Sequence, residues 1–237
     1  SPSWGGPALP HTTKEIETRA NEMLGEITYS ELSMEDAMDK GLLEYIDPLP
    51  FYMQDLEKKV DMSCIRKAGL KIVVDPLYGA GVGYLDMALK SAGCEMKAIH
   101  NQRDPSFGGS APDPSEKNIS ELIDIVKNGG YNLGLATDCD ADRFGIVDAN
   151  GKYIEPNYII ALLFDYLVRV KGMEGGVARS VATTHLIDAV AQKHNIHVYE
   201  TPVGFKYIGE LIREDKIIIG GEESAGLTIK GHVPEKD

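Results

Sequence analysis

The chain contains 237 residues, of which 43% are hydrophobic, and it carries a formal net charge of -13 at pH 7. This length and composition support one large or two modest globular cores and exclude a disordered chain. The negative charge argues against a nucleic-acid partner, because the phosphates of a nucleic acid would be repelled.

Neither a membrane-spanning segment nor a secretory leader is visible in the sequence. The longest apolar run, residues 158–164, is too short to cross a bilayer. Three cysteines, Cys64, Cys94 and Cys139, are widely spaced and odd in number, and they form no zinc-binding pattern. We therefore predict a protein of a reducing compartment, the cytoplasm, with no membrane partner.

The N-terminal part of the chain is predicted to be helical. A polar helix is expected over residues 12–24, with Thr12 or Thr13 as its N-cap and two glutamates in its first turn. A second, amphipathic helix is expected over residues 50–62. The segment between these helices has only a weak, mixed pattern.

Beyond residue 70, predicted strands alternate with predicted helices. The pattern indicates, in order, a strand over 70–74, a helix near 82–91, a strand near 95–100, a helix over 119–127 and strands over 131–136 and 144–148. This alternation predicts a layered α/β domain with a largely parallel sheet.

A second α/β unit is predicted after a join near Pro156. Its elements are an apolar helix over 158–171, a strand over 177–183, a helix over 186–194, a strand over 197–200, a helix over 207–213 and a strand over 216–219. About 80 residues are few for this architecture, so the unit is expected to be incomplete. The predicted fold is two consecutive three-layer α/β/α domains with mixed, largely parallel sheets, the second one truncated.

Three carboxylates lie in one tight loop between two predicted strands. Asp138, Asp140 and Asp142 are separated by small residues, and Arg143 follows them directly. Acidic oxygens at this spacing, held at a strand end, suit a small hard cation such as Mg²⁺. An arginine beside the cation is well placed to bind a second anionic group. The sequence therefore predicts a magnesium site with room for a phosphate.

The alternatives for this loop are a solvated turn and an EF-hand calcium loop. A solvated turn is disfavoured by the third aspartate in register and by the apolar strands on both sides. An EF-hand needs a glycine in mid-loop and a glutamate at its end, where this chain has Arg143 and Ala149. The EF-hand interpretation therefore fails.

Glycines at positions 79, 81 and 83 follow the first predicted strand and suggest a dinucleotide-binding turn. However, Tyr84 stands where that motif needs its third glycine, and the next strand ends at His100 rather than at an acidic residue. A tight structural turn is therefore the favoured interpretation.

Two later loops contain polar residues at strand ends. Thr201–Lys206 combines Gly204, which lets a ligand approach the backbone, with the positive charge of Lys206, although an ordinary turn is favoured. Glu222 and Ser224 lie among glycines in the second loop. They suit hydrogen bonds to vicinal sugar hydroxyls, and a solvated turn is an equal alternative.

Two histidines are weaker candidates for a functional site. His185 lies at a predicted helix start and is interpreted as a polar residue of the cap region. His232 lies near Lys236 in a polar tail, where a solvated segment is favoured over a phosphate site.

Together these loops resemble the α-D-phosphohexomutases, a family that includes phosphoglucomutases and phosphomannomutases. Asp138–Arg143 resembles its magnesium loop, usually Asp-Gly-Asp-x-Asp-Arg. Thr201–Lys206 resembles the loop that reads sugar orientation, and Gly221–Ser224 resembles the sugar-binding loop. His232–Asp237 resembles the start of a following basic segment. The order and spacing agree, and the resemblance covers most of the chain beyond Pro50.

The resemblance implies an intramolecular phosphotransferase that interconverts hexose 1-phosphate and hexose 6-phosphate through a phosphoserine and a bisphosphate intermediate. It implies Mg²⁺ as cofactor, held by Asp138, Asp140 and Asp142. Arg143 and Lys206 would be catalytic. The substrate-binding residues would be Asp142, Arg143, Gly204, Lys206, Glu222, Ser224 and Lys236. The implied partners are sugar phosphates such as glucose 1-phosphate and glucose 1,6-bisphosphate.

The family's enzymes have four domains around a cleft, and the resemblance implies that this chain covers part of them. Residues 1–45 would be the tail of domain one, residues 46–156 domain two, and residues 157–237 an incomplete domain three. The opening segment Ser1–Pro7 lacks a starting methionine, and the family's Ser-His-Asn-Pro string does not occur in the sequence. We therefore expect an excised fragment that is inactive alone.

Two positions depart from the family pattern. Cys139 replaces the usual glycine, and Ala225-Gly226 stands where several members have Gly-His, which leaves the role of His232 open. Two alternative functions also stay open. One is a phosphomannomutase or phosphopentomutase of the same family, and the other is a non-catalytic module that binds magnesium or sugar phosphate.

Overall fold

The structure is a computed structural model that describes residues 3–26 and 31–236. Residues 1–2, 27–30 and 237 lie outside it, and with them the ends of the segments Ser1–Pro7 and His232–Asp237. The chain divides into two compact units, Ala8–Val60 and a larger unit that combines Ser1–Pro7 with Asp61–Asp237.

The unit Ala8–Val60 is helical in its described part. Its helices are α1 (Pro10–Glu22), α2 (Met34–Asp39) and α3 (Leu49–Lys59). The predicted caps of the first helix are wrong. α1 begins at Pro10, and among the described residues no side chain caps it and no acidic residue occupies its first turn. Proline suits this position because its φ is already helical and it has no N–H that needs a partner.

The larger unit begins with a five-stranded sheet and its helices. These elements are α4 (Met62–Ala68), β1 (Lys71–Asp75), α5 (Leu85–Ser91), β2 (Glu95–Ala98), α6 (Ser120–Gly129), β3 (Leu133–Thr137), β4 (Phe144–Asp148) and β5 (Tyr153–Ile154). The predicted helix over 50–62 matches α3 except for its first residue, but it runs too far and includes the break before α4 and the first residue of α4. Val60 is extended, and the Asp61 side chain caps α4 by accepting the N–H groups of Ser63 and Cys64.

The first sheet is mixed and forms the middle of three layers. The strand order is β2-β1-β3-β4-β5, with β1 parallel to β2 and β3, and with β4 and β5 antiparallel to their neighbours. Successive side chains of β1 point to opposite faces. Val73 packs with Leu122 of α6, whereas Ile72 and Val74 pack with Leu89 of α5.

A four-stranded sheet follows in the same unit. Its elements are α7 (Pro156–Arg169), β6 (Gly176–Ser180), α8 (Leu186–His194), β7 (Val198–Thr201), α9 (Phe205–Arg213), β8 (Ile217–Gly221) and β9 (Leu227–Ile229). The order is β7-β6-β8-β9, with β6 parallel to β7 and β8, and with β9 antiparallel to β8.

The second sheet is also covered on both faces. Phe164 of α7 and Ile187 of α8 pack with Val177, and Ile208 of α9 packs with Ala178 on the other face. The predicted class, two α/β/α domains with mixed sheets, is therefore confirmed, while its boundaries near residues 45 and 156 stay predictions. Within the described residues, no helix combines the length and the apolar character that crossing a bilayer requires.

Candidate active site

The predicted magnesium loop is the turn of a β-hairpin. Thr137 at the end of β3 pairs with Phe144 at the start of β4, so residues 138–143 close the hairpin. We call Asp138–Arg143 the acidic loop. Its turn includes Ala141 in a left-handed conformation, with φ of 63°. The loop follows a strand that is parallel to β1, so it lies at the same sheet edge as the glycine turn that follows β1.

The three aspartates of the acidic loop converge. One carboxylate oxygen from each of Asp138, Asp140 and Asp142 lies within 4.8 Å of the others. In octahedral coordination at about 2.0–2.1 Å, ligand oxygens on opposite sides of Mg²⁺ are about 4.2 Å apart. The observed spacing needs only small side-chain adjustments to reach that geometry. Three hard carboxylate oxygens are also the donor type that Mg²⁺ prefers.

Asp138 is fully buried and organises the loop. Its Oδ1 accepts the backbone N–H groups of Asp142 at 2.9 Å and Arg143 at 3.0 Å, and its Oδ2 accepts the Nε–H of Arg143 at 2.7 Å. Burial raises the pKa of Asp138, and the charges of Asp140 and Asp142 add to this, although the hydrogen bonds from Arg143 oppose it. The carboxylate therefore fixes the turn as well as facing the other two aspartates.

Arg143 stays charged beside these carboxylates. Burial lowers the pKa of Arg143, but the hydrogen bond and charge of Asp138, with the charges of Asp142 and Asp140, outweigh it and leave the pKa raised. Its Nε is also 3.7 Å from Asp142 Oδ1, and its side chain is 39% exposed. The guanidinium thus lies at the rim of the acidic loop, within reach of an anion.

The glycine turn after β1 supports the acidic loop from behind. A Cβ on Gly79 would lie 2.5 Å from the Cys139 carbonyl oxygen, and one on Gly81 would lie 2.7 Å from Thr137 Oγ1. The neighbouring Ala80 N–H donates to the Cys139 carbonyl at 2.8 Å. The close approach of the Cys139 backbone explains Gly79, and that of the Thr137 hydroxyl explains Gly81. Both contacts agree with the structural turn that the sequence favours over a nucleotide site.

The two predicted sugar-site loops are joined by a hydrogen bond. Glu222 begins the turn between β8 and β9, which we call the glutamate loop, Glu222–Gly226. Its buried carboxylate accepts the backbone N–H of Gly204 at 2.8 Å through Oε1. Gly204 immediately precedes α9 and has a φ of 127°, which only glycine adopts easily. Ser224 is exposed in the same loop.

Lys206 and Lys236 occupy different surroundings. The Nζ of Lys206 lies 5.2 Å from the centroid of the Tyr207 ring, in a cation–π contact. Lys236 instead forms an ion pair with Asp142 of the acidic loop. A Cβ on Gly226 would lie 2.7 Å from Lys236 Cδ, so the lysine side chain passes directly over the glutamate loop. Lys236 thereby brings the glutamate loop and the acidic loop to one place.

The sequence did not predict the polar network behind the glutamate loop. Oε2 of Glu223 accepts the hydroxyls of Ser180 at 3.1 Å and Thr183 at 3.0 Å. Next to Ser180, the buried Arg179 donates to Asp188 at 2.5 and 3.0 Å and pairs with Glu200 at 3.0 Å. The signal available in the sequence was Arg179, because a charged residue among the small residues of β6 indicates a buried polar partner.

The two candidate histidines lie in turns next to the second sheet. His185 directly precedes α8, and its Nδ1 lies 3.0 Å from Arg179 Nη2. The backbone N–H of His232 donates to the Ile229 carbonyl at 3.1 Å, in the turn after β9. The position of His185 agrees with its interpretation as a residue of the cap region, while the interpretation of His232 stays a prediction.

Comparison with known proteins places this architecture in a family. Residues 50–151 match the model described as phosphoglucomutase/phosphomannomutase, alpha/beta/alpha domain II, and residues 155–237 match that of domain III. The chain belongs to the phosphoglucomutase/phosphomannomutase family. The resemblance to the α-D-phosphohexomutases that the acidic and glutamate loops indicate is therefore confirmed.

Individual relatives agree with the family assignment. The chain is 31% identical to a phosphoglucomutase of Komagataeibacter xylinus, over 96% of this chain and 43% of that protein. It is 32% identical to a phosphoglucomutase/phosphomannomutase of Thermococcus kodakarensis, over 83% of this chain and 43% of that protein. The chain thus spans well under half the length of these relatives.

A solved structure shares the fold over nearly the whole chain. It is a candidate phosphomannomutase from Thermus thermophilus, with a TM-score of 0.86 and 29% identity, covering 98% of this chain and 51% of that chain. An N-acetylphosphoglucosamine mutase of Aspergillus fumigatus, solved with GlcNAc-6P and magnesium, has a TM-score of 0.50 at 15% identity over 76% of this chain and 40% of that chain. The latter likeness shows the fold alone.

Proposed function

We propose that this chain is part of a phosphohexomutase, which interconverts hexose 1-phosphate and hexose 6-phosphate. The observation that carries the proposal is that Lys236 contacts both the acidic loop, through Asp142, and the glutamate loop, at Gly226. The acidic loop offers oxygens for a hard cation, and the glutamate loop offers hydrogen-bonding groups for a sugar. A phosphorylated sugar needs both kinds of contact within one site.

The cation of this site is Mg²⁺, held by Asp138, Asp140 and Asp142. Support comes from the purely carboxylate donor set and from the 4.8 Å limit on the distances between its oxygens. When bound, Mg²⁺ supplies positive charge that stabilises the transferring phosphoryl group. Asp138 has a second task, because its hydrogen bonds to the loop backbone keep the other two carboxylates in register.

Arg143 is the proposed anion-binding and catalytic residue of the acidic loop. It binds Asp138 through Nε. A guanidinium has further N–H groups on its terminal nitrogens, and these suit bidentate contact with a phosphate. The raised pKa of Arg143, in which the aspartates outweigh the cost of burial, keeps this cation charged throughout turnover. Lys206 is the second proposed catalytic cation, and it lies at the start of α9 near Gly204.

The sugar is proposed to lie against Gly204, Glu222 and Ser224. One oxygen of Glu222 accepts the Gly204 N–H, and a carboxylate has a second oxygen for a sugar hydroxyl. Ser224 adds an exposed hydroxyl that both donates and accepts. Asp142 and Lys236 line the passage from this loop to the cation. Glucose 1-phosphate and glucose 1,6-bisphosphate are the proposed substrate and intermediate, and a phosphoserine is the proposed phosphoryl donor.

The proposed location is the cytoplasm. Within the described residues, Cys64, Cys94 and Cys139 are free thiols, and a reducing compartment keeps thiols in this state.

The proposal is tested by mutase turnover of the longer protein that contains this chain. Phosphorus NMR would follow glucose 1-phosphate and mannose 1-phosphate, each with a trace of the matching bisphosphate and with Mg²⁺. We expect conversion to the 6-phosphates, and we expect Asp140→Ala to abolish it for both sugars. Turnover that is unaffected by Asp140→Ala, or the absence of any conversion by the unaltered protein, would refute the proposed function.

A further inference from the structure

Two cationic side chains, those of Arg143 and Lys236, already lie against the aspartates of the acidic loop. Oδ1 of Asp142 lies 3.7 Å from Arg143 Nε, and Oδ2 of Asp142 is paired with Lys236 Nζ. Both carboxylate oxygens of this aspartate therefore face a positive charge. Asp138 is likewise committed to Arg143 at 2.7 Å, whereas Asp140 is exposed. Of the three aspartates, Asp142 is the one whose charge is shared between two cations.

Lys236 reaches Asp142 from a distant part of the chain. It lies beyond β9 and 94 positions from its partner, and its side chain crosses Gly226 on the way. The two side chains are 26% and 21% exposed, so the ion pair is partly shielded from water. A lysine ammonium is charged at neutral pH, so the pair joins two opposite charges.

We propose that Lys236 is an internal counter-ion that competes with a divalent cation for Asp142. A cation coordinated at about 2.0–2.1 Å by an Asp142 oxygen would meet the lysine ammonium across the same carboxylate. The divalent cation and the lysine ammonium would then lie on the same carboxylate, and two positive charges so close together repel each other strongly. Binding of the divalent cation therefore releases Lys236 from Asp142. This inference rests on the cation-binding part of the proposed function and goes beyond it, because it assigns the lysine two alternating positions.

The consequence is a coupling between the cation and the segment after β9. The coupling free energy is the same in both directions. If the Lys236–Asp142 ion pair weakens cation binding by a given factor, cation binding weakens the ion pair by the same factor. The released side chain still passes over Gly226, and its ammonium is free to meet an anionic ligand. Cation binding at the acidic loop would thus also place a free ammonium group beside the glutamate loop.

A calorimetric Mg²⁺ titration of this chain tests the competition without any mutase assay. We expect Lys236→Met to bind Mg²⁺ roughly tenfold more tightly than the unaltered chain, within the range that is typical of coupled sites. Lys230→Met is the matched control, because it removes the same charge after β9 but from an ion pair with Asp215 at 2.7 Å. The control should shift the Mg²⁺ affinity by about twofold or less, as a surface charge does.

A second measurement uses the unaltered chain, so that a folding defect of the variant is no obstacle. Acetylation of lysine amines, mapped by mass spectrometry, should become faster at Lys236 when Mg²⁺ is added, and it should not change at Lys230. Asp140→Ala should remove the Mg²⁺ effect.

The outcomes separate the two proposals. In one outcome, Mg²⁺ binds to the unaltered chain and Asp140→Ala abolishes this binding, so the cation site stands. If Lys236→Met and Lys230→Met then have the same Mg²⁺ affinity, and Mg²⁺ does not change the acetylation rate of Lys236, the counter-ion proposal is overturned. If neither the unaltered chain nor Lys236→Met binds Mg²⁺, both the counter-ion proposal and the magnesium assignment fail.

Discussion

Glu222 accepts the backbone N–H of Gly204 at 2.8 Å, and this bond ties the glutamate loop to the start of α9. The residue therefore has a structural task beside its proposed contact with sugar hydroxyls. Oε1 of Glu222 makes this bond, and the other oxygen is the one proposed to bind a sugar hydroxyl. A substitution at Glu222 must consequently change stability and substrate recognition together, and the two effects require separate measurements.

Glu222→Ala is expected to lower stability by about 1–3 kcal/mol, because the Gly204 N–H loses its charged acceptor. In the proposed phosphohexomutase it should also lower kcat/KM roughly ten- to hundredfold and change the preference between glucose 1-phosphate and mannose 1-phosphate. Asp140→Ala should reduce turnover of both sugars alike. Urea unfolding and steady-state kinetics provide the measurements. An unchanged ratio between the sugars in Glu222→Ala would show that the glutamate loop is an ordinary turn.

Gly79→Ala is expected to destabilise the chain by about 1–3 kcal/mol, as overpacking in a rigid site does. The added Cβ would lie 2.5 Å from the carbonyl oxygen of Cys139, and neither backbone can move without disturbing the acidic loop. Thermal unfolding of the chain measures the loss, and Mg²⁺ affinity should fall with it.

Gly226→Ala is the matched control for Gly79→Ala. Its Cβ would also make a short contact, 2.7 Å, but with Cδ of the flexible Lys236 side chain. Since that side chain can move, a loss of about 0.5 kcal/mol or less is expected. Equal losses in both variants would show that backbone contact at Cys139 is not the cause.

The sequence predicted the features that are local in the chain. The acidic loop was recognisable because its three aspartates and Arg143 fall within six consecutive positions between apolar strands, and the hairpin brings them together without help from distant residues. Helix α8 was predicted with its observed bounds, since its apolar period and its polar start are both local signals. Strands β5 and β9, with two and three residues, are too short to show an alternating pattern.

The sequence did not predict the contacts that join distant segments. Gly79 was interpreted as a turn residue, but nothing in its neighbourhood indicated that Cys139 packs against it. The bonds between Gly204 and Glu222 and between Asp142 and Lys236 span 18 and 94 positions. Such pairings depend on which sheet edges and loops the topology brings together, and a residue pattern along the chain contains no record of that.

The stability contributed by Asp165 is expected to disappear in acid. The hydrogen bond from His194, with that from Arg169, lowers the pKa of Asp165 from 3.8 to about 2. The folded state therefore binds this proton less readily than the unfolded state, so the contribution is complete above pH 3.8 and is lost as the pH falls toward 2. Asp165→Asn should lower the melting temperature near neutral pH, and the difference from the unaltered chain should shrink through this window.

The control for Asp165 is Asp39→Asn, which removes the same charge from an exposed position at the end of α2. Its effect on the melting temperature should be small and should not follow the same pH window. A difference between Asp165→Asn and the unaltered chain that persists below pH 2 would show that the effect comes from packing rather than from the ion pairs of Asp165.

Ser180 and Thr183 are expected to be energetically coupled through Glu223. Their hydroxyls lie 2.9 Å apart, and both contact Oε2 of Glu223, at 3.1 and 3.0 Å. Ser180→Ala and Thr183→Val should each cost about 1–2 kcal/mol, because each leaves buried polar atoms with fewer partners. The double variant should cost less than the sum by about 0.5–1 kcal/mol, since the second substitution removes a network that the first has already weakened.

Urea unfolding of all four chains measures this coupling. Ser91→Ala on α5 combined with Thr183→Val should be additive, because the only described contact of the Ser91 hydroxyl is its bond to the Ala88 carbonyl of the same helix, at 2.8 Å. If the stability losses of Ser180→Ala and Thr183→Val simply add, Glu223 does not hold the glutamate loop to the end of β6 and the turn after it through the two hydroxyls as one unit.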